Sequence, residues 1–200
     1  MRKLSVLLIV SGMLVMGAVS LWAAEEVPLA KPDILTEEVV FSSTRLGDYD
    51  TIIIKELMMN NAKYERVDDD ERVKIDAMKP MLNRIYQESL EMELRGRKLF
   101  KNIHKSEQPA GKALILETEM IEFNAGSRAM RFWVGFGAGK TYLLISGRLV
   151  DAQSGKVLAT FVDRETGYKG VASMESFDAL FPHQAKSLGE NVAIFIEKLY

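Results

Sequence analysis

The sequence predicts an α+β fold: a single mixed, mostly antiparallel sheet with helices packed on one face. Three observations carry that reading. Residues 50–55 (Asp-Thr-Ile-Ile-Ile-Lys) form a β-branched run without polar alternation, which suits a strand covered on both sides. Three later stretches have β character. Two more repeat apolar residues at three- and four-residue steps, the spacing of amphipathic helices.

Residues 24–48 hold Pro28, Pro32, Ser42, Ser43, Thr44 and Gly47 with little periodicity, and read as a flexible leader carrying one short strand around 38–41. The domain proper is residues 49–200. After the first strand, Asn60 and Asn61 break the pattern. Asp68, Asp69, Asp70 and Glu71 then place acids where a helix N-terminus favours them. Met78, Met81, Leu82, Ile85, Ser89 and Met92 make one stripe of the helix that follows, with Lys79, Arg84, Gln87, Glu88, Glu91 and Arg95 opposite. Pro80 either kinks this helix or opens it in the first turn. In residues 112–123, Leu114, Leu116, Thr118 and Met120 share one face, and Ala113, Ile115, Glu117 and Glu119 the other. Residues 141–150 and 157–163 should pair antiparallel through a hairpin turn at 151–155 (Asp-Ala-Gln-Ser-Gly). Ala185, Leu188, Val192, Phe195, Ile196 and Leu199 mark a closing helix, with Pro182 in its first turn.

The N-terminus reads as a secretory signal. Arg2 and Lys3 precede an uncharged run over residues 4–24, which ends in small residues before Glu25 and Glu26. Cleavage is expected in the Ala23 and Ala24 region, giving a signal peptide of residues 1–23; Ala18 and Ser20 offer a second small pair. The same run is long enough to remain as a membrane anchor. The expected location is therefore exported, periplasmic or secreted.

Composition excludes several chemistries. The 200 residues carry 26 Lys plus Arg and 28 Asp plus Glu, a net charge of −2, so no broad basic field for nucleic acid exists. Without cysteine there is no disulfide frame, thiol catalysis or Cys-based zinc site, and the two histidines, His104 and His183, lack a metal-ligand neighbour. No catalytic set, metal site or cofactor is expected. Asp68, Asp69, Asp70 and Glu71 lack the alternating ligands and turning glycine of a calcium loop. Met58, Met59, Met78, Met81 and Met92 read as core filling.

Gly135-Phe136-Gly137-Ala138-Gly139-Lys140-Thr141 imitates a phosphate-binding loop but fails it twice. The spacing before the Gly-Lys pair is one residue short, and the segment opens a strand where a helix N-terminus is required. No nucleotide is expected. Instead Phe132, Trp133 and Phe136, with Arg128, Arg131 and Lys140 around the glycines, read as a contact surface for a partner or a lipid head-group region.

The stretch Asn124-Ala125-Gly126-Ser127-Arg128-Ala129-Met130-Arg131, the Gly-Phe-Gly-Ala-Gly-Lys at 135–140, and Leu149-Val150-Asp151-Ala152-Gln153-Ser154-Gly155-Lys156-Val157-Leu158-Ala159 resemble the bacterial exported family called domain of unknown function 4410. The resemblance runs from about residue 49 to the C-terminus. It implies a small envelope protein, here without the cysteine of the lipoprotein version, and brings no established activity, substrate or catalytic residue. More distantly, the order of elements is similar to small α+β domains of periplasmic envelope-assembly proteins, including the N-terminal domain of the Tol translocation protein and the core of the curli secretion channel.

The expected function is a non-enzymatic binding or assembly module of the envelope. Its partner is an envelope protein or a second copy, and its membrane contact comes only through a retained signal. The rival expectation is a periplasmic hydrolase or small-ligand binder with His183 beside Glu117 and Glu119.

Overall fold

The computed structural model describes residues 27–105, 112–127, 139–166 and 176–200. Seven strands form one sheet: β1 (Glu37–Val40), β2 (Thr51–Ile54), β3 (Lys63–Glu65), β4 (Asn102–His104), β5 (Ala113–Asn124), β6 (Tyr142–Asp151) and β7 (Val157–Thr166). Two long helices, α1 (Asp69–Gly96) and α2 (Phe177–Leu199), accompany it. The path across the sheet is β1-β7-β6-β5-β2-β4, and β3 pairs β5. The long ladders, β5 with β6, β6 with β7 and β1 with β7, are antiparallel; β2 with β4, β2 with β5 and β3 with β5 are short and parallel. The α+β expectation with one mostly antiparallel sheet holds.

Strand β5 organises the rest. Leu114, Leu116, Thr118 and Met120 are all buried on its inner face, while Ile115, Glu117 and Glu119 are only half-buried on its outer one. Helix α2 packs on β6 and β7 and against α1 on that inner side, giving a two-layer core. Each large side chain taken out of water there, such as Phe123, Leu143 or Phe195, contributes roughly 1.5–3 kcal/mol. All six residues of the expected C-terminal stripe are buried. Helix α2 begins five residues before Pro182, which therefore lies inside it and not in its first turn.

Helix α1 differs from its expected stripe. Its buried residues are Ile75, Leu82, Tyr86, Gln87, Ser89, Leu90 and Leu94, whereas Met92 is 57% exposed and Met78, Met81 and Ile85 flank the core. The buried face follows Ile75, Leu82, Tyr86, Leu90 and Leu94, and Gln87, read as polar and outward, is buried beside it with its amide donating to the Lys55 carbonyl (3.3 Å). The helix runs unbroken through Pro80, which is exposed, so the backbone carbonyl that loses its partner there can meet water. Its start matches expectation: Asp68 accepts from the Glu71 N–H (2.8 Å) and Glu71 accepts from the Asp68 N–H (3.2 Å).

The expected leader, residues 24–48, is described over 27–48, where it lies against the sheet. The carboxylate of Glu38 accepts the N–H groups of Asp33, Ile34 and Leu35 at 2.7, 2.6 and 2.7 Å, folding the segment back on β1. Asp163 of β7 accepts from the Thr36 N–H and hydroxyl and from the Asn191 amide of α2. Burial pushes the Asp163 carboxyl above its usual range despite these bonds. Leu35, Val40 and Leu46 join the core. Partners so distant in sequence leave no periodic trace in the leader itself.

The two helices touch at a glycine. A Cβ added at Gly189 would stand 2.7 Å from the Tyr86 carbonyl oxygen and 3.0 Å from the Leu90 nitrogen, so any larger residue forces α1 and α2 apart. Gly189→Ala is expected to destabilise by about 2 kcal/mol or more, whereas Gly96→Ala, with nothing near its Cβ, should be neutral or mildly stabilising. Urea unfolding of the two variants checks the contrast, and equal midpoints contradict this packing.

Candidate functional site

The expected contact surface, residues 128–140, springs from the end of the β5–β6 hairpin. Arg128, Arg131, Phe132, Trp133 and Phe136 lie outside the described residues, as do Ala23 and Ala24. Lys140 is described and exposed. What the structure defines is the neck. The Ser127 N–H donates to the Gly139 carbonyl (2.9 Å), and the Asn124 side chain accepts from the Gly126 N–H (2.9 Å). Gly126 and Gly139 both have φ of 72°, and a Cβ on Gly126 would lie 2.4 Å from the Gly139 oxygen. Only glycine accommodates that approach. On the far side, Thr141 is buried and receives the amide of Gln184 of α2 at its carbonyl (3.3 Å) and hydroxyl (3.0 Å). Gly126 and Gly139 therefore serve a positive φ, and Gly126 also a close backbone approach.

Beside the neck, a cavity of about 460 Å³ opens between the first turn of α1 (Asp68, Asp70, Glu71, Lys74), Gly126 and Phe177. Its carboxylates make it a poor anion site. On the outer face next to it, Tyr142 donates to Glu122 and lies under the Arg164 guanidinium, 4.6 Å from the ring centroid. Burial, then the bond to Glu122, raises the Tyr142 hydroxyl above its usual range.

The rival site does not assemble. Glu117 is paired with Arg148 (2.5 Å) and Glu119 accepts from Asn61 (3.5 Å), both on the outer face. His183 is exposed on α2, which covers the inner face. The sheet separates them. Among the described residues no group of three His, Asp or Glu is placed to hold a metal.

The opposite end of the sheet carries a feature the sequence reading missed. A second cleft, of about 220 Å³, is lined by Ser42, Thr44, Tyr49, Asp151, Ser154 and Lys156 among others. Asp151 accepts the N–H groups of Gln153 (3.1 Å) and Ser154 (2.6 Å), the Ser154 hydroxyl, and the Tyr49 hydroxyl (2.7 Å). The turn composition signalled the first bonds; nothing local signals Tyr49, 102 residues away.

A family model described as Domain of unknown function (DUF4410) matches residues 52–171. The chain belongs to this family. The DUF4410 match takes in β2 to β7, including the hairpin neck, and stops before α2. No curated protein matches the chain. Among solved structures it is similar to the PelC dodecamer of Paraburkholderia phytofirmans (12% identity, 78% of this chain and 97% of that one, TM-score 0.44). It is also similar to a DUF330 protein of Xanthomonas campestris (8%, 82% and 92%, 0.42). A third is a homologue of neuraminyllactose-binding hemagglutinin from Helicobacter pylori (12%, 80% and 88%, 0.39). These likenesses are too loose to carry an argument about function.

The turn N–H of Ser154, followed by the Tyr49 hydroxyl, holds the Asp151 carboxyl down at about 2. Because the folded value lies below the unfolded one, this carboxylate adds stability above pH 3.8 that disappears as pH falls toward about 2. Asp151→Asn is expected to lower Tm at neutral pH and to flatten the decline of Tm across that acidic window. Calorimetry at stepped pH checks it; parallel curves for the two proteins contradict it.

Proposed function

We propose that this DUF4410 chain is an exported, non-enzymatic binding or assembly module of the cell envelope, presenting residues 128–140 to a protein partner. The observation that carries the reading is the neck: buried Gly139 and Thr141, the Gly126 contact and the Gln184 clamp fix a rigid base for a segment rich in large apolar and cationic residues. Binding surfaces of this make-up, aromatic anchors with arginines on a stiff scaffold, concentrate affinity in few residues. Export is supported by the order of Arg2, Lys3, the uncharged run 4–24 and Glu25. Among the described residues no helix is long and apolar enough to cross a membrane.

The test is crosslinking in intact cells followed by purification of the chain. Replacing Phe132, Trp133 and Phe136 with Ala should abolish the crosslinked partner while Tm stays within a few degrees. An undiminished partner band removes residues 128–140 from the interface.

A further inference from the structure

We infer that the cleft between the β6–β7 turn and residues 42–49 is a binding site for an uncharged, polyhydroxylated ligand the size of one sugar ring. The inference goes beyond the partner surface proposed above and does not depend on it. Both walls of the cleft are fixed by the backbone. In the turn, the Gly155 N–H donates to the Asp151 carbonyl and the Asp151 N–H to the Lys156 carbonyl, both at 2.9 Å. The facing segment is held where the N–H groups of Phe41 and Ser42 donate to the Leu158 carbonyl (2.8 and 3.0 Å). The Tyr49 hydroxyl joins the two walls by donating to Asp151 (2.7 Å). Ser42 and Tyr49 are each nine-tenths buried, so the polar groups that line the space are positioned before anything enters it.

The direction of the hydroxyl protons decides what fits. Ser42 directs its proton to the Thr44 carbonyl (2.6 Å), and Ser154 and Tyr49 direct theirs to Asp151 (both 2.7 Å). The Ser42 and Ser154 oxygens each accept one backbone N–H, from Thr44 (3.3 Å) and Lys156 (3.2 Å), and a hydroxyl oxygen has two lone pairs. Asp151 takes three donors at Oδ1 and only Tyr49 at Oδ2. What remains to offer a ligand at Ser42, Tyr49, Asp151 and Ser154 is therefore acceptor capacity without protons. The cleft asks for a molecule that brings several donors of its own.

Charge narrows the class. The Asp151 carboxylate, ionised at neutral pH, repels an anion. Lys156 lines the same space, is exposed and has no ion-pair partner among the described residues, and the Lys112 ammonium lies 5.2 Å from the Tyr49 ring centroid, so a cation is disfavoured too. An uncharged ligand with several O–H groups satisfies both sides, donating to the fixed oxygens and accepting from Lys156. The volume of about 220 Å³ has room for roughly seven waters, which the ring of such a ligand would displace while its hydroxyls take over their bonds. Leu158 and Tyr49 supply the apolar contact.

The experiment is a titration of the isotope-labelled full chain with methyl glucoside, followed by amide chemical shifts in NMR. Saturable shifts should appear at residues 42–49 and 151–156, with Kd in about the millimolar range expected of so small a ligand. Each lost hydrogen bond is worth about fivefold in affinity, so Lys156→Gln and Asp151→Asn should each weaken binding by about that factor or more. Lys156 is exposed, so its variant keeps the fold and the test stands even if Asp151→Asn is unstable. Lys74→Gln, at the neck end, should leave binding unchanged. Absence of saturable shifts at those residues, or undiminished binding by the Lys156 variant, overturns the inference. So does a stronger response to inorganic phosphate, ammonium or glycine than to the glucoside, since each marks a site for charge.

Discussion

Burial of one face of β5 under the α1–α2 pair is the constraint on which the remaining structure depends. The strand is twelve residues long, and its alternation sends Leu114, Leu116, Thr118 and Met120 to the helices while Glu117 and Glu119 face the other way. A register slip of one residue would exchange the two sets. Because β5 is so long, one edge seats β2 at its start and β3 at its end, while the other carries the whole of β6. The strand thus separates two faces and two ends. The helix pair follows the same geometry, since Gly189 lets α2 lie close enough to α1 for both to cover the sheet.

Loops collect at the two ends of the sheet and give each its own contacts. The neck end gathers backbone–backbone contacts that admit only glycine, plus the acidic start of α1. The other end gathers lysines and a satisfied Asp151 turn. Family membership in DUF4410 adds the extent of the shared domain and no activity, so the reading of function rests on what each end offers physically.

Much of the fold was legible in the sequence wherever a local period reports burial. The β5 alternation, the β6–β7 turn and the α2 stripe are of that kind, and all three stand in the structure. Where position is fixed by a distant partner, the sequence is silent. The leader docks because Asp163 meets Thr36 and Glu38 gathers three N–H groups, and neither contact leaves a pattern along residues 27–48. Strands β3 and β4, three residues each, are too short for a period to show. In α1 the buried face runs through Ile75, Tyr86, Leu90 and Leu94 and leaves Met92 exposed, and Gln87 is buried through a bond to the Lys55 carbonyl that no period reports. Of the candidate site, the Asp151 turn was readable from its composition, whereas its bond to Tyr49 was not, since the two residues stand 102 positions apart.

The burial of one face of β5 is tested most directly by urea unfolding of Leu116→Ala and Glu117→Ala, neighbours on opposite faces of the strand. Leu116→Ala is expected to cost about 2–5 kcal/mol, and Glu117→Ala about 1 kcal/mol or less. Equal losses in the two variants would contradict the account.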